Sequence, residues 1–215
     1  MRIGILGAGG MADALGTQWA GAGHEVMVSG RDQGRSAARA ALMATQAGGE
    51  VRAGSFAEAA SFGDVVVVAV REAGLLDTLR AAGAALRGKA IVDVTNGDPK
   101  EFDLTRSLAR LIADVTGGHV VKAFNLCHVD VWRMTPPVFG GRPLAVPLCG
   151  DDPEALAAVR TLVADLGCTP VHGGGVERAV LLEATAAFVI GLWFGGADAQ
   201  AILPPLASSG DHQPA

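Results

Sequence analysis

The residues able to do chemistry open the chain. Gly7-Ala8-Gly9-Gly10-Met11-Ala12 follows directly on the apolar run Ile3-Gly4-Ile5-Leu6. Glycines at Gly7, Gly9 and Gly10 let a backbone turn tightly and come close to a pyrophosphate, and Ala12 is small enough for the next helix to pack on the strand. Phosphate oxygens would sit on that helix's first turn, where unpaired N–H groups and the macrodipole favour negative charge. A fold of this kind that binds an unphosphorylated ribose places Asp or Glu about twenty residues further on. Here Ser29-Gly30-Arg31 stands instead. A hydroxyl and a guanidinium suit a 2′-phosphate, and Arg35, one helical turn beyond Arg31, can join them. The cofactor indicated is NADP(H). Asp32 reads as the N-cap of the helix carrying Arg35.

Other candidates end later strands. Val65–Val70 runs into Arg71, Ala90–Val94 into Thr95-Asn96, and Val120–Phe124 into Asn125. Ligands of open parallel sheets bind beyond the carboxyl ends of strands. Val70, Arg71, Asn96, Ala123 and Asn125 are therefore expected at the cleft, Val70 beside adenine or ribose and Asn96 near the nicotinamide. Asn96 also reads as a turn residue before Gly97-Asp98-Pro99. Groups able to move a proton are few, and no catalytic residue is identified. Lys122 could act as a base or anion clamp, or point away on an alternating strand. Cys127 and His128 stand in an irregular loop reaching Arg142, where function concentrates, and His172 is a further proton-donor candidate. His24 and His119 begin strands and read as packing residues. The chain has no tyrosine, which excludes the Tyr-Lys pair of short-chain dehydrogenases. Cys127, Cys149 and Cys168 lack metal-ligand spacing, so no metal is expected.

Stepping from strand to helix along the chain yields the elements that must hold these residues. Strands are predicted at Ile3–Leu6, Glu25–Val28, Val65–Val70, Ala90–Val94, Val120–Phe124, Leu144–Leu148 and Thr169–Val171. Between them, helices are predicted at Met11–Ala22, Gln33–Ala47, Phe56–Ala60, Leu75–Leu86, Leu104–Ala113 and Pro153–Leu166. A last, longest helix covers Val176–Ala201, with a break near Gly195-Gly196. The alternation predicts an α/β protein: a Rossmann-type, doubly wound, mainly parallel sheet with a small C-terminal helical extension. The expected division is residues 1–172 as the NADP-binding domain, 173–203 as a helical segment packing on it, and 204–215 as a loose tail. A formal charge of -5 and a pI near 5.5 exclude a nucleic-acid protein. The uncharged stretch Ala184 to Ala197 falls short of the roughly 20 residues of a membrane span, so no membrane partner is expected. Its Phe188, Ile190, Leu192, Trp193 and Phe194 exceed what one helix face needs to bury, which predicts a homodimer. With a strand beginning at Met1 no signal peptide is expected, and with reduced thiols the expected location is cytoplasmic.

Gly7–Ala12, Ser29-Gly30-Arg31, Val120-Val121-Lys122-Ala123-Phe124-Asn125, Gly150-Asp151-Asp152 and Glu177-Arg178-Ala179-Val180-Leu181-Leu182-Glu183, in this order and spacing, resemble one family across roughly residues 1 to 202. It is the NADPH:coenzyme F-420 (F420) oxidoreductase family, also described as predicted dinucleotide-binding reductases, with relatives in the reductase domain of STEAP ferric reductases. The resemblance implies a Rossmann fold, homodimers, and hydride transfer between NADPH and the deazaflavin F420 as co-substrate. It implies that Gly9, Gly10 and Met11 touch the pyrophosphate, that Gly30, Arg31 and Arg35 hold the 2′-phosphate, and that Val70 and Val129 wall the nicotinamide side. The region from Phe194 to Ile202 would lie near the deazaflavin, Gln200 standing at the position of a contact residue. Two features depart from the family. The phosphate loop is one residue shorter than the archaeal Gly-Gly-Thr-Gly form, and Leu126-Cys127-His128-Val129-Asp130-Val131-Trp132 replaces a Thr-Ile-Pro type of loop. Cys127, His128 and Trp132 would then shape the acceptor pocket. The alternatives are an NADPH-dependent reductase of a small carbonyl, imine, quinone or flavin, and a non-catalytic NADPH-binding redox sensor.

Overall fold

The computed structural model describes residues 1–198. Its first half alternates β1 (Arg2–Leu6), α1 (Gly10–Gly21), β2 (Glu25–Ser29), α2 (Gln33–Ala47), β3 (Val51–Gly54), α3 (Phe56–Phe62) and β4 (Val65–Val68). Next come α4 (Leu75–Ala82), β5 (Ala90–Asp93), α5 (Leu108–Thr116) and β6 (His119–Lys122). A small hairpin, β7 (Val138–Phe139) and β8 (Arg142–Pro143), precedes β9 (Ala145–Cys149), α6 (Pro153–Asp165), β10 (Thr169–Gly174) and α7 (Ala179–Phe194).

One eight-stranded sheet runs in the order β10-β9-β6-β5-β4-β1-β2-β3. The strands from β3 to β6 are parallel, and β9 joins β6 antiparallel through Lys122 opposite Cys149. Alternating side chains feed two cores. Ile3 and Ile5 face Trp19 and Met43 under α1 and α2, while Leu6, Val66 and Val68 face Leu79 and Ile112 under α4 and α5. Because both faces are covered, β4 is four consecutive buried valines. Gly4 lets α3 lie directly on β1, since a Cβ there would stand 2.0 Å from the Ala59 carbonyl oxygen. The strand order reverses between β1 and β4, which opens a crevice at their carboxyl ends.

The structure moves several predicted boundaries. The strand expected to reach Val70 stops at Val68, and the one expected to reach Phe124 stops at Lys122, where Phe124 turns with φ +60°. The helix expected from Leu104 begins at Leu108, because Asp103 holds the N–H and hydroxyl of Thr105 in a local turn and Ser107 caps the helix instead. Gly83, at φ +68°, ends α4 ahead of Leu86. Strand β3 was not expected, nor was the β7–β8 hairpin within the loop. The predicted domain boundary at residue 172 falls inside β10.

Helix α7 is apolar on every side, yet it buries only Ala179, Glu183 and Ala186. Phe188 is 61 % exposed and Phe194 88 %. Among the described residues no helix is long and apolar enough to cross a membrane. The expected tail 204–215, the end of the helical segment and Gln200 lie outside the described residues.

Candidate functional site

The glycine turn is fixed by its neighbours on one side and left open on the other. Gly7 takes φ +136°, and its N–H donates to the Ser29 carbonyl at 2.8 Å. A Cβ on Gly7 would stand 2.3 Å from the Ala69 carbonyl oxygen, so β4 itself demands glycine. Gly9 is different: it is the N-cap of α1, no side chain caps the helix, and a Cβ there would meet nothing within 4 Å. The first intrahelical bond runs from Asp13 N–H to Gly9 C=O at 3.0 Å, which leaves the N–H groups of Gly10, Met11 and Ala12 for a ligand. Asp13 adds no bare anion, because Arg39 and Arg133 hold its two oxygens at 2.9 and 2.7 Å.

Beside this turn a cleft of about 340 Å³ runs across the ends of β4, β5 and β6. Gly9, Gly10, Met11, Val70, Arg71, Asn96 and Asn125, all expected from sequence, line it together with Cys127. Ala69, Val94, Thr95 and Phe124 complete the wall. Sequence reasoning had these four inside or beside the right strand ends, and the strands' early stops are what release them into the cleft.

At the end of β2 lies a separate rim. Asp32 caps α2 as expected, accepting from Arg35 N–H at 3.0 Å. Gly30 lets this turn approach the phosphate loop, since a Cβ would stand 3.3 Å from that of Ala8. Arg31 and Arg35 are exposed, and neither guanidinium forms an ion pair or hydrogen bond with the described residues. Ser29 does not join them. Its hydroxyl is fully buried and donates to the Ile5 carbonyl at 2.8 Å, locking β1 to β2.

Several further expectations are corrected. Lys122 is completely buried: its Nζ pairs with Asp93 at 2.9 Å and Glu183 at 3.4 Å, and donates to the Thr95 carbonyl. It ties β5 and β6 to α7 and faces no ligand space. Trp132 is 2 % exposed and packs edge-on against Phe124 at 5.3 Å, which makes it core and not acceptor wall. Ala123 is likewise fully buried in that core. Val129 stands behind Gly10, its Cγ2 3.5 Å from where a Gly10 Cβ would lie. His128 is exposed and caps the short turn Val129–Arg133. His172 is exposed on β10, and His24 pairs with Asp165 at 2.8 Å. Cys127 does line the cleft, but burial pushes its thiol up to about 11, so it is protonated at neutral pH and no nucleophile. Among the described residues no cluster could hold a metal ion.

Residues 2–97 match the family model for NADP oxidoreductase, coenzyme F420-dependent. Over them, a little under half of its length, the chain is similar to that family. Three relatives extend the likeness. Metalloreductase STEAP3 of Rattus norvegicus is 32% identical over 196 residues, 89% of this chain and 38% of the relative. The F420-dependent NADP reductase of Methanocaldococcus jannaschii is 29% identical over 147 residues, 63% of this chain and 64% of the relative. The NADPH-dependent reductive aminase of Aspergillus oryzae is 27% identical over 205 residues, 94% of this chain and 63% of the relative. The chain thus spans less than two thirds of the length of each of these proteins. A structure from Arthrobacter sp. FB24, provisionally assigned as an F420-dependent NADP reductase, covers 91% of this chain and 94% of its own at 29% identity and a TM-score of 0.78.

The family's nucleotide fits the residues present. Gly9 leaves open space that no atom of the described residues fills, the first turn of α1 presents free N–H groups, and two exposed guanidiniums flank the end of β2. Gly9, Gly10 and Met11 would hold the pyrophosphate and Arg31 with Arg35 the 2′-phosphate, and the cleft at the ends of β4 to β6 would be left for the ring end.

Proposed function

We propose that the chain is an NADPH-dependent oxidoreductase that passes hydride between NADP(H) and the deazaflavin F420. The observation that carries this is the chemistry of the cleft wall. Among the described residues that line it only the side chains of Arg71 and Cys127 ionise, and the Cys127 thiol is held neutral up to about 11. A wall of Met11, Val70, Val94, Thr95, Asn96, Phe124 and Asn125 can bind, orient and exclude water, but offers no acid suited to neutral pH. When bound, NADPH supplies the hydride. A deazaflavin ring takes that hydride on carbon and its proton from water, so the protein's task is to hold two rings in contact. The likeness to the M. jannaschii reductase points the same way.

A second reading rests on the likeness to the reductive aminase over 94% of this chain. An iminium carbon also accepts hydride without a protein acid, because its nitrogen is already protonated. Mixing the full chain and NADPH separately with oxidised F420, a free flavin and a cyclic imine separates the two. Bleaching of the deazaflavin supports the first reading, and NADPH oxidation by the imine alone replaces it with the second. Tight NADPH binding with no acceptor reduced leaves a redox sensor. The partner proposed for the exposed apolar helix α7 is a second copy of this chain.

A further inference from the structure

Asn125 is held so that one of its polar atoms is left over. Its Nδ2 donates to Asn96 Oδ1 at 3.0 Å and to the Leu182 carbonyl of α7 at 3.1 Å. Asn96 in turn donates from Nδ2 to the Asn125 backbone carbonyl at 2.8 Å. Backbone carbonyls only accept, so both amide groups are fixed in orientation. Among the described residues Asn125 Oδ1 is then a buried acceptor with no partner, on a residue 5 % exposed that lines the cleft. Such an orphan is rare in a folded interior. Its position is enforced from behind: Phe124, at φ +60°, has its ring wedged between Trp19 at 5.8 Å and Trp132 at 5.3 Å. A bulky residue keeps a left-handed backbone only where its surroundings insist on it. Here the turn ends β6 and brings Asn125 to the cleft.

We infer that Asn125 Oδ1 accepts a hydrogen bond from the carboxamide N–H of the nicotinamide ring. The inference rests on the NADP(H) reading above. With phosphates at Gly9 to Met11, a dinucleotide crossing from Arg31 brings its ring end over β4, β5 and β6, where Asn125 waits. Only a donor satisfies Oδ1; a ring carbonyl turned toward it would set lone pair against lone pair. The carboxamide is therefore oriented one way. Asn125 also bonds to Leu182, which places α7 directly behind this acceptor.

The test is equilibrium binding of NADP+ and of its 3-acetylpyridine analogue, in which a methyl group replaces the amide NH2, followed by tryptophan fluorescence on the full chain. The wild type should bind the analogue about tenfold more weakly, the range of one lost hydrogen bond to a buried acceptor. Asn125→Ala should bind both nucleotides with equal, reduced affinity. Equal affinities in the wild type overturn the inference, as does a preference that survives in Asn125→Ala. If the wild type binds neither nucleotide, the cofactor reading falls with it, a result distinct from equal binding. The wild-type comparison needs no variant, so a misfolded Asn125→Ala does not shield the inference.

Discussion

Arg31 and Ser29 stand two residues apart and do unlike things: one guanidinium is free at the rim while the neighbouring hydroxyl is spent inside the sheet. Residue type alone could not separate them, because the β1–β2 register decides which side chain faces Ile5. Replacing Arg31 by Ala should raise the KM for NADPH by about 10- to 100-fold, the scale of a charge-assisted bond to phosphate, and leave NADH nearly unchanged. Equal effects on both nucleotides in steady-state assays would argue against this role. Gly7→Ala should be among the worst single changes, since it adds a methyl 2.3 Å from a backbone oxygen at φ +136°; a loss above about 3 kcal/mol in urea unfolding is expected. The thiols give a pH dependence. Burial pushes Cys127 and Cys168 up to about 11 from an ordinary value of 9.0. The folded state thus prefers the neutral thiol, a preference that costs nothing below pH 9 and loses stability as pH rises toward 11. The urea midpoint should hold steady to about pH 9 and then fall, and Cys168→Ala should flatten that fall.

Elements carry a second kind of argument, in which one buried charge fixes several pieces of backbone. Lys122 from β6 meets Asp93 from β5 and Glu183 from α7, and Glu183 also accepts from Ser107 Oγ and the N–H groups of Leu108 and Ala109 at the start of α5. A lysine within a strand of otherwise apolar residues was visible in the sequence, but its partners lie 29 and 61 positions away, and only the sheet order brings them together. Lys122→Met should lower stability by about 3–5 kcal/mol, because two buried carboxylates lose their cation. If thermal unfolding of that variant matches the wild type, the network is not what holds α7 to the sheet. Elements that bury an apolar face on both sides, such as β1, β4 and β5, were legible as continuous apolar runs. Strand β3 was not, since Val51-Arg52-Ala53-Gly54 is an edge strand with little to bury and no alternation to read.

For the whole molecule, the mainly parallel sheet and a cleft at its strands' carboxyl ends followed from the alternation of strands and helices, the nucleotide was indicated by the glycine turn with Arg31, and the strand order came only with the structure. What sequence could not supply was depth: which of Lys122, Asn125, Cys127 and Trp132 reaches the cleft depends on where β6 stops and how Phe124 turns. Helix α7 raises the remaining question at this scale, because an apolar helix with Leu181, Phe188, Trp193 and Phe194 exposed is stable in water only when covered. Light scattering should find a dimer, and Phe188→Glu should shift it toward monomer without altering the fold by circular dichroism. A monomeric wild type would refute the second copy. In the proposed reaction hydride leaves NADPH without help from a protein acid. The most direct test is single-turnover mixing of the NADPH-loaded chain with oxidised F420 across about pH 6 to 8. The deazaflavin's visible band should bleach in step with NADPH oxidation, at a rate with no inflection in that range. Contradiction would be a rate that titrates with a single protein group there, or NADPH that stays reduced throughout.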